Sequence, residues 1–267
     1  MRLTRVLLAV VTSVALTGCI NSTTLIKLNA DGSGTVEQTT LMNMGALKAM
    51  VPGADKQMGG AVVNRADLER TAARMGKGVR LVSAEPAKGA TGFEGSKAIF
   101  AFDDINQVQV AQGPSMSGGV GGSVPAEPSA NDPVKFKLTR SGGTSTLTIA
   151  FVDKPGNVNV NQGTDSDMPD LTNPMMMNMI KSMFAGFKIN IDLEVAGKIV
   201  KTNAEYVTGS RLTLLEMDME ALLADEAKLK ALQGKLGANA SLSAVKPYLK
   251  DIKGIKIDGP TISVEFK

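Results

Sequence analysis

The sequence predicts an α+β protein: a mostly antiparallel β-sheet with a few helices packed against it. Three observations lead there. Several segments alternate apolar and polar residues with period two, as in Val134-Lys135-Phe136-Lys137-Leu138-Thr139-Arg140, Ile189-Asn190-Ile191-Asp192-Leu193-Glu194-Val195 and Ile262-Ser263-Val264-Glu265-Phe266-Lys267. That pattern gives each strand one buried and one wet face, unlike the doubly buried strands of a parallel sheet. Glycine-rich turns join such segments, at Asp31-Gly32-Ser33-Gly34 and at Gly142-Gly143, because glycine accepts the positive φ that tight hairpins need. Finally, stretches of helical spacing carry end signals, Asn64 and Gly76 around one and Asn173-Pro174 before another.

Taken in order, the chain opens with Arg2, Arg5 and an apolar run from Val6 to Leu16, followed by Leu16-Thr17-Gly18-Cys19. A charged start, a short greasy core and a small-residue exit form a secretory signal. The run falls short of the ~17–25 residues that span a bilayer. Leu16 to Cys19 resembles the lipobox of bacterial lipoproteins, and the resemblance implies cleavage between Gly18 and Cys19 with acylation of Cys19 on sulfur and amine. Ile20 rather than Asp follows. By analogy with inner-membrane retention signals, the expected address in a diderm host is the outer membrane, facing the periplasm.

Residues 1–18 are thus expected to be a signal peptide, residues 19–216 an α+β domain, and residues 217–267 a C-terminal helical region with a final strand, packed on the same domain. Strands are expected at Thr23–Asn29 and Thr35–Met42. Helices follow at Met44–Val51, stopped by Pro52-Gly53, and after Asn64, with Ala61, Leu68, Ala72 and Met75 on one face. Val79-Arg80-Leu81 begins a strand, and Phe93–Phe102 and Leu147–Phe151 are others. Gly113 to Pro133 is rich in Gly, Ser and Pro and reads as a flexible loop (113–133), and Pro155–Pro169 as another. A helix is expected from Pro174 to about Phe184, a second from Met217 to Leu236 ended by Gly237, and a short one at Ser243–Leu249 containing Pro247.

Composition removes several functions. There is no His and no Trp, and Cys19 is the single cysteine. Imidazole bases, histidine metal ligands and a disulfide within the chain are therefore excluded. Loss of residues 1–18 removes Arg2 and Arg5 and lowers the formal charge from +3 to +1. No basic block remains that would suit nucleic acid. Aromatics make up 4% of residues, too few for a stacking platform.

Three segments carry a family resemblance: Asp31-Gly32-Ser33-Gly34-Thr35-Val36, Phe100-Ala101-Phe102-Asp103-Asp104-Ile105, and Gly197-Lys198-Ile199-Val200-Lys201-Thr202-Asn203-Ala204, the last followed by a Gly209 turn and a strand. Together they make the chain resemble the LppM-like bacterial envelope lipoproteins over patches between Cys19 and Leu215. The resemblance implies an α+β fold with a curved antiparallel sheet against helices, and a link to lipid binding. It implies no catalytic residue. Ala196 stands where Pro is expected before the turn, Leu214 where relatives often carry Trp, and the membrane helix common after the domain is replaced by further helix and strand.

Four local patterns invite chemistry. Asn29 to Thr40 imitates a calcium loop but has Thr40 in place of the bidentate Glu, and its flanks alternate as strands, so a plain hairpin is expected. Ser243-Ala244-Val245-Lys246 has the Ser-x-x-Lys spacing of a hydrolase without its companion motifs. Asp103-Asp104 and the group Asp165, Asp167 and Asp170 offer carboxylates for glycoside hydrolysis, yet sit at a strand end and in a polar loop. Met175, Met176, Met177, Met179 and Met183 are soft thioethers suited to Cu(I). Met176, Met179, Ile180 and Met183 form one helical stripe, read first as core packing, with an adaptable apolar surface for a ligand as the second reading. The sequence therefore points to a membrane-anchored, non-catalytic protein without cofactor or metal, binding a lipid or an envelope protein. A carboxylate or Ser/Lys hydrolase and a Met-based copper protein are the alternatives.

Overall fold

The period-two alternation is met by strands, and the hairpin expected at residue 31 organises them. In the computed structural model, β1 (Ile20–Leu28) and β2 (Gly34–Asn43) pair antiparallel from Ile20–Met42 to Leu28–Gly34. The structure describes residues 20–44, 63–90, 92–112, 133–151, 174–225, 227–229 and 242–267. The expected signal peptide, Cys19, nearly all of the Met44–Val51 helix and of the 113–133 loop, and the Pro155–Pro169 loop lie outside those residues.

At the hairpin, Gly32 takes φ +86°. Asp31 Oδ1 accepts from the Ser33 N–H at 2.9 Å and from the Ser33 hydroxyl at 2.6 Å. A Cβ at Gly34 would lie 2.0 Å from the Lys27 carbonyl oxygen and 2.6 Å from Phe102 Cζ, so only glycine fits the close approach of these strands.

Thirteen strands fall into two sheets among the described residues. β3 (Arg80–Lys88) and β4 (Phe93–Phe102) extend the first sheet beyond β2. On the other side of β1 come β8 (Lys188–Val195), β11 (Arg211–Asp218) and β10 (Val207–Thr208), with β12 (Ile255–Ile257) pairing the far half of β11. The second sheet runs in the order β5 (Gln109–Val110), β6 (Val134–Ser141), β7 (Thr144–Ala150), β13 (Thr261–Phe266), β9 (Ile199–Thr202). Among the described residues every pairing is antiparallel except β1 with β8. The fold is α+β, mostly antiparallel.

The apolar faces of the two sheets share one core. Ile26, Leu28, Val36, Phe100, Phe102, Leu193 and Leu212 from the first join Phe136, Leu147, Ile149, Ile262, Val264 and Phe266 from the second. The first helix, α1 (Arg65–Met75), begins as expected: Asn64 accepts from the Asp67 N–H and Gly76 ends it, with Ala72 and Met75 buried. α2 (Pro174–Met183) and α4 (Leu242–Leu249, with Pro247 inside) also match the reading.

One expectation is corrected. Met217 does not start a helix; it pairs with Ile189 and Ile255 in β11. The helix α3 (Met219–Ala224) starts only after Asp218, whose carboxylate accepts from the Glu220 and Ala221 N–H groups. It stops at Asp225, which accepts from the Lys228 N–H and so opens a new helical turn. Two aspartate caps therefore break what looks in the sequence like one continuous helix.

Candidate functional site

The turn end of the first sheet collects acids that the sequence presents separately. Asp31, Asp103 and Asp104 line an open cleft of about 340 Å³ with Asn106, Leu138 and Arg140. Each acid already has a donor. Both Asp103 oxygens accept from Arg80 Nη1, at 3.0 and 3.2 Å. Asp104 Oδ1 accepts from the Asn106 N–H and amide, capping the 3₁₀ turn Ile105–Gln107. Asn106 Oδ1 in turn accepts from the Leu138 N–H at 2.7 Å, and Gly32 O from the Ile105 N–H at 2.9 Å. The Ser33 hydroxyl and N–H, helped by Arg140, hold the Asp31 carboxyl below its usual value. A glycosidic general acid needs the opposite shift. This geometry joins two hairpins. Asp165, Asp167 and Asp170 lie outside the described residues. Among the described residues no group of three His, Cys, Asp or Glu side chains could hold a metal ion.

A second polar cluster ties the C-terminal segment to the first sheet. Asp258, just after β12, is buried; its oxygens accept from the Gly259 N–H at 2.8 Å and the Glu205 N–H at 3.1 Å. Lys246 Nζ lies 2.5 Å from Glu205 Oε1. The lysine of the Ser-x-x-Lys motif is thus an ion-pair partner; the Ser243 side chain is not among those described. The adjoining cavity, lined by Tyr206, Lys246 and Leu249, holds about 10 Å³, room for one water at most.

Burial pushes the Asp258 carboxyl above its usual value, against the opposing pull of its two N–H donors and Lys246. The folded state then binds this proton more tightly than the unfolded chain. The group's contribution to stability is full below the unfolded value near 3.8 and is lost as pH rises through the raised folded value. Asp31, shifted the other way, contributes with the opposite slope. We expect the melting temperature of Asp258→Asn minus that of the parent to rise between pH 4 and pH 7, followed by scanning fluorimetry. A flat or falling difference would refute the assignment.

A third feature was not marked by the sequence. Asp192 sits in the alternation of β8 where a wet side chain is expected, yet it is 2% exposed. Arg211 Nη2 donates to its Oδ2 at 2.6 Å. Among the described residues nothing donates to Asp192 Oδ1, nor to Asn190 Oδ1 two residues earlier on the same face.

The methionine helix is described in part. Met177 is buried with Leu223 and Leu229, and Ile180 and Phe184 pack partly against them, in a small cluster separate from the main core. Met175 is 82% exposed, so neighbouring thioethers point apart. The side chains of Met176, Met179 and Met183 are outside the description. The inward stripe of α2 therefore includes Met177 and Ile180 and is continued by Phe184 just after the helix, spaced by three and four residues as a helix face requires. Met177, which the sequence places among the soft thioethers, falls outside the stripe of Met176, Met179, Ile180 and Met183 because its neighbours are equally apolar.

No family model matches the chain, and no curated protein matches it. Among solved structures it is similar to the NMR structure of the folded domain of Mycobacterium tuberculosis LppM, at 10% identity, over 94% of this chain and 91% of that chain, with a TM-score of 0.34. A score of that size transfers no residue and no ligand.

Proposed function

We propose that this chain is a lipid-anchored protein of the bacterial envelope that acts by binding a lipid or an envelope partner and performs no catalysis. The observation that carries the reading is Leu16-Thr17-Gly18-Cys19 behind a charged, apolar leader, in a chain with no other cysteine. In a diderm host the address is the outer membrane, facing the periplasm. Two features favour binding. The acids of the open cleft are committed to caps and to Arg80, and among the described residues α2 packs in a cluster of Met177, Leu223 and Leu229. Methionine adapts to irregular apolar ligands. The ligand surface is assigned to the stripe with Met176, Met179, Ile180 and Met183.

Lipid extraction from protein purified out of its native membrane tests this, with a co-purifying lipid beyond the anchor as the expected result. Recovery of neither a lipid nor a bound protein would count against it. The double variant Met179→Leu, Met183→Leu keeps bulk and removes sulfur. It is expected to match the parent in melting temperature and in fatty-acid binding. A large loss of Cu(I) affinity in competition with a cuprous chelator would put copper handling first instead.

A further inference from the structure

Strand register and the anchor reading together constrain how the domain meets its membrane. β1 begins at Ile20, so the residue that carries the lipid is bonded directly to the first strand residue, with Cα atoms about 3.8 Å apart. Ile20 pairs with Met42 of β2, and Asn21 with both Leu41 and Lys188 of β8. β1 is therefore gripped on both sides from its second residue, and no tether separates anchor from fold.

The aromatic residues are distributed in the same sense. The chain has eight phenylalanines. Phe100, Phe102, Phe136, Phe151 and Phe266 are buried in the main core. The other three, Phe93, Phe184 and Phe187, are only half-buried, and all lie at the end of the sheet where β1 begins. Phe93 opposes Asn43, one step beyond the Ile20–Met42 pair. Phe187 immediately precedes Lys188, the partner of Asn21. A Cβ at Gly186 would stand 2.7 Å from Phe93 Cζ, so the turn before β8 reaches the Phe93 ring. The rings of Phe184 and Phe187 meet edge to face with centroids 5.9 Å apart. Ile20, Met42 and Met44 are half-buried at the same end.

Lys88 pairs there with Glu94 at 3.8 Å and Lys188 with Asp218 at 2.7 Å, with exposed Glu220 close enough to Lys188 to raise its pKa further, and the β3–β4 hairpin carries uncharged Gly89, Ala90 and Gly92 past the level of Ile20. The opposite end bears Asp31, Asp103, Asp104 and Arg140. Nine strand residues separate the two ends, about 25–30 Å at ~3.3 Å per residue.

We propose that the end of the first sheet formed by Phe93, Phe184, Phe187 and the hairpin residues Gly89, Ala90 and Gly92 is a membrane-contact surface. It seats in the headgroup layer of the bilayer that holds the Cys19 lipid, and the Asp31 turn points away from it. The proposal rests on acylation of Cys19. Half-buried aromatic and apolar side chains gain by entering that layer, and a tether of zero length keeps them there. The charged end then stands beyond the ~8 Å reach of surface potential at physiological salt.

Acylation consumes the single thiol, so an introduced cysteine is a unique label site. The full-length acylated protein, as Ala90→Cys or Ala30→Cys carrying a fluorophore, is reconstituted into phosphatidylethanolamine–phosphatidylglycerol vesicles with and without nitroxide-labelled phospholipid. Both positions are exposed. The Ala90→Cys label is expected to be quenched several-fold more than the Ala30→Cys label, and Lys88→Cys replaces Ala90→Cys if that variant does not fold. Equal quenching, or more at residue 30, in protein that floats with the vesicles overturns the docking geometry and leaves the anchor intact. Protein that does not float overturns both.

Discussion

Cys19→Ala is expected to abolish incorporation of radiolabelled palmitate and to leave the protein with an uncleaved leader. The effect is all or nothing, because Cys19 is the only cysteine in the chain and no second site exists for thioether attachment. Gel mobility checks the retained leader, since residues 1–18 add mass that processing removes. A single acyl chain binds a bilayer only weakly and reversibly, whereas several chains hold a protein durably; membrane fractionation should therefore shift with labelling. If the alanine variant still incorporates palmitate, Cys19 is not the anchor. Recovery of the parent with inner-membrane vesicles in a density gradient would count against the outer-membrane address alone.

Strand interiors were legible because a half-buried sheet face imposes period two on the sequence. Phe93–Phe102 is recovered with its bounds unchanged, and the Gly142-Gly143 turn shows positive φ at both residues, +57° and +77°. Pairing was not legible. β1 and β8 lie side by side in parallel, yet nothing local in either segment names its neighbour. Nor does local pattern divide the strands between two sheets, since both sheets show the same alternation. β12 has three residues, too few to establish a period. The Met217 error has a clear cause: Met217-Asp218-Met219-Glu220 suits a strand end and a helix start alike, and Asp218 decides by capping.

The polar sites were less legible than the fold for the same reason. Asp31 and Asp104 accept from residues two positions away, so their turn roles can be read locally. The Arg80 partner of Asp103, the Glu205 donor to Asp258 and the Glu205 partner of Lys246 are set by tertiary structure, the last across 41 residues. An alternation of Asn190, Asp192 and Glu194 with apolar residues says only that these three share a face. It does not say that the middle one is covered.

Arg211→Ala is expected to destabilise the fold by about 3 kcal/mol, the lower end of the range for removing one partner of a buried ion pair. The lower end applies because the Arg211 side chain is 44% exposed while that of Asp192 is 3% exposed, so part of the attraction is already screened by water. The loss comes mainly from Asp192. Its Oδ2 relies on Arg211 Nη2, and among the described residues its Oδ1 has no donor. Without the guanidinium the carboxylate is left uncompensated, and Asn190 Oδ1 beside it is another acceptor lacking a donor. Adding Asp192→Leu to Arg211→Ala should recover most of the loss. The register places residue 192 between Leu25 of β1 and Thr213 of β11, where an apolar side chain of similar reach has a neighbour to pack on. Denaturant unfolding of the parent, the single and the double variant measures both steps. If the double variant is no more stable than Arg211→Ala alone, the arginine acts through the packing of its aliphatic stem and the charge of Asp192 is not what it compensates.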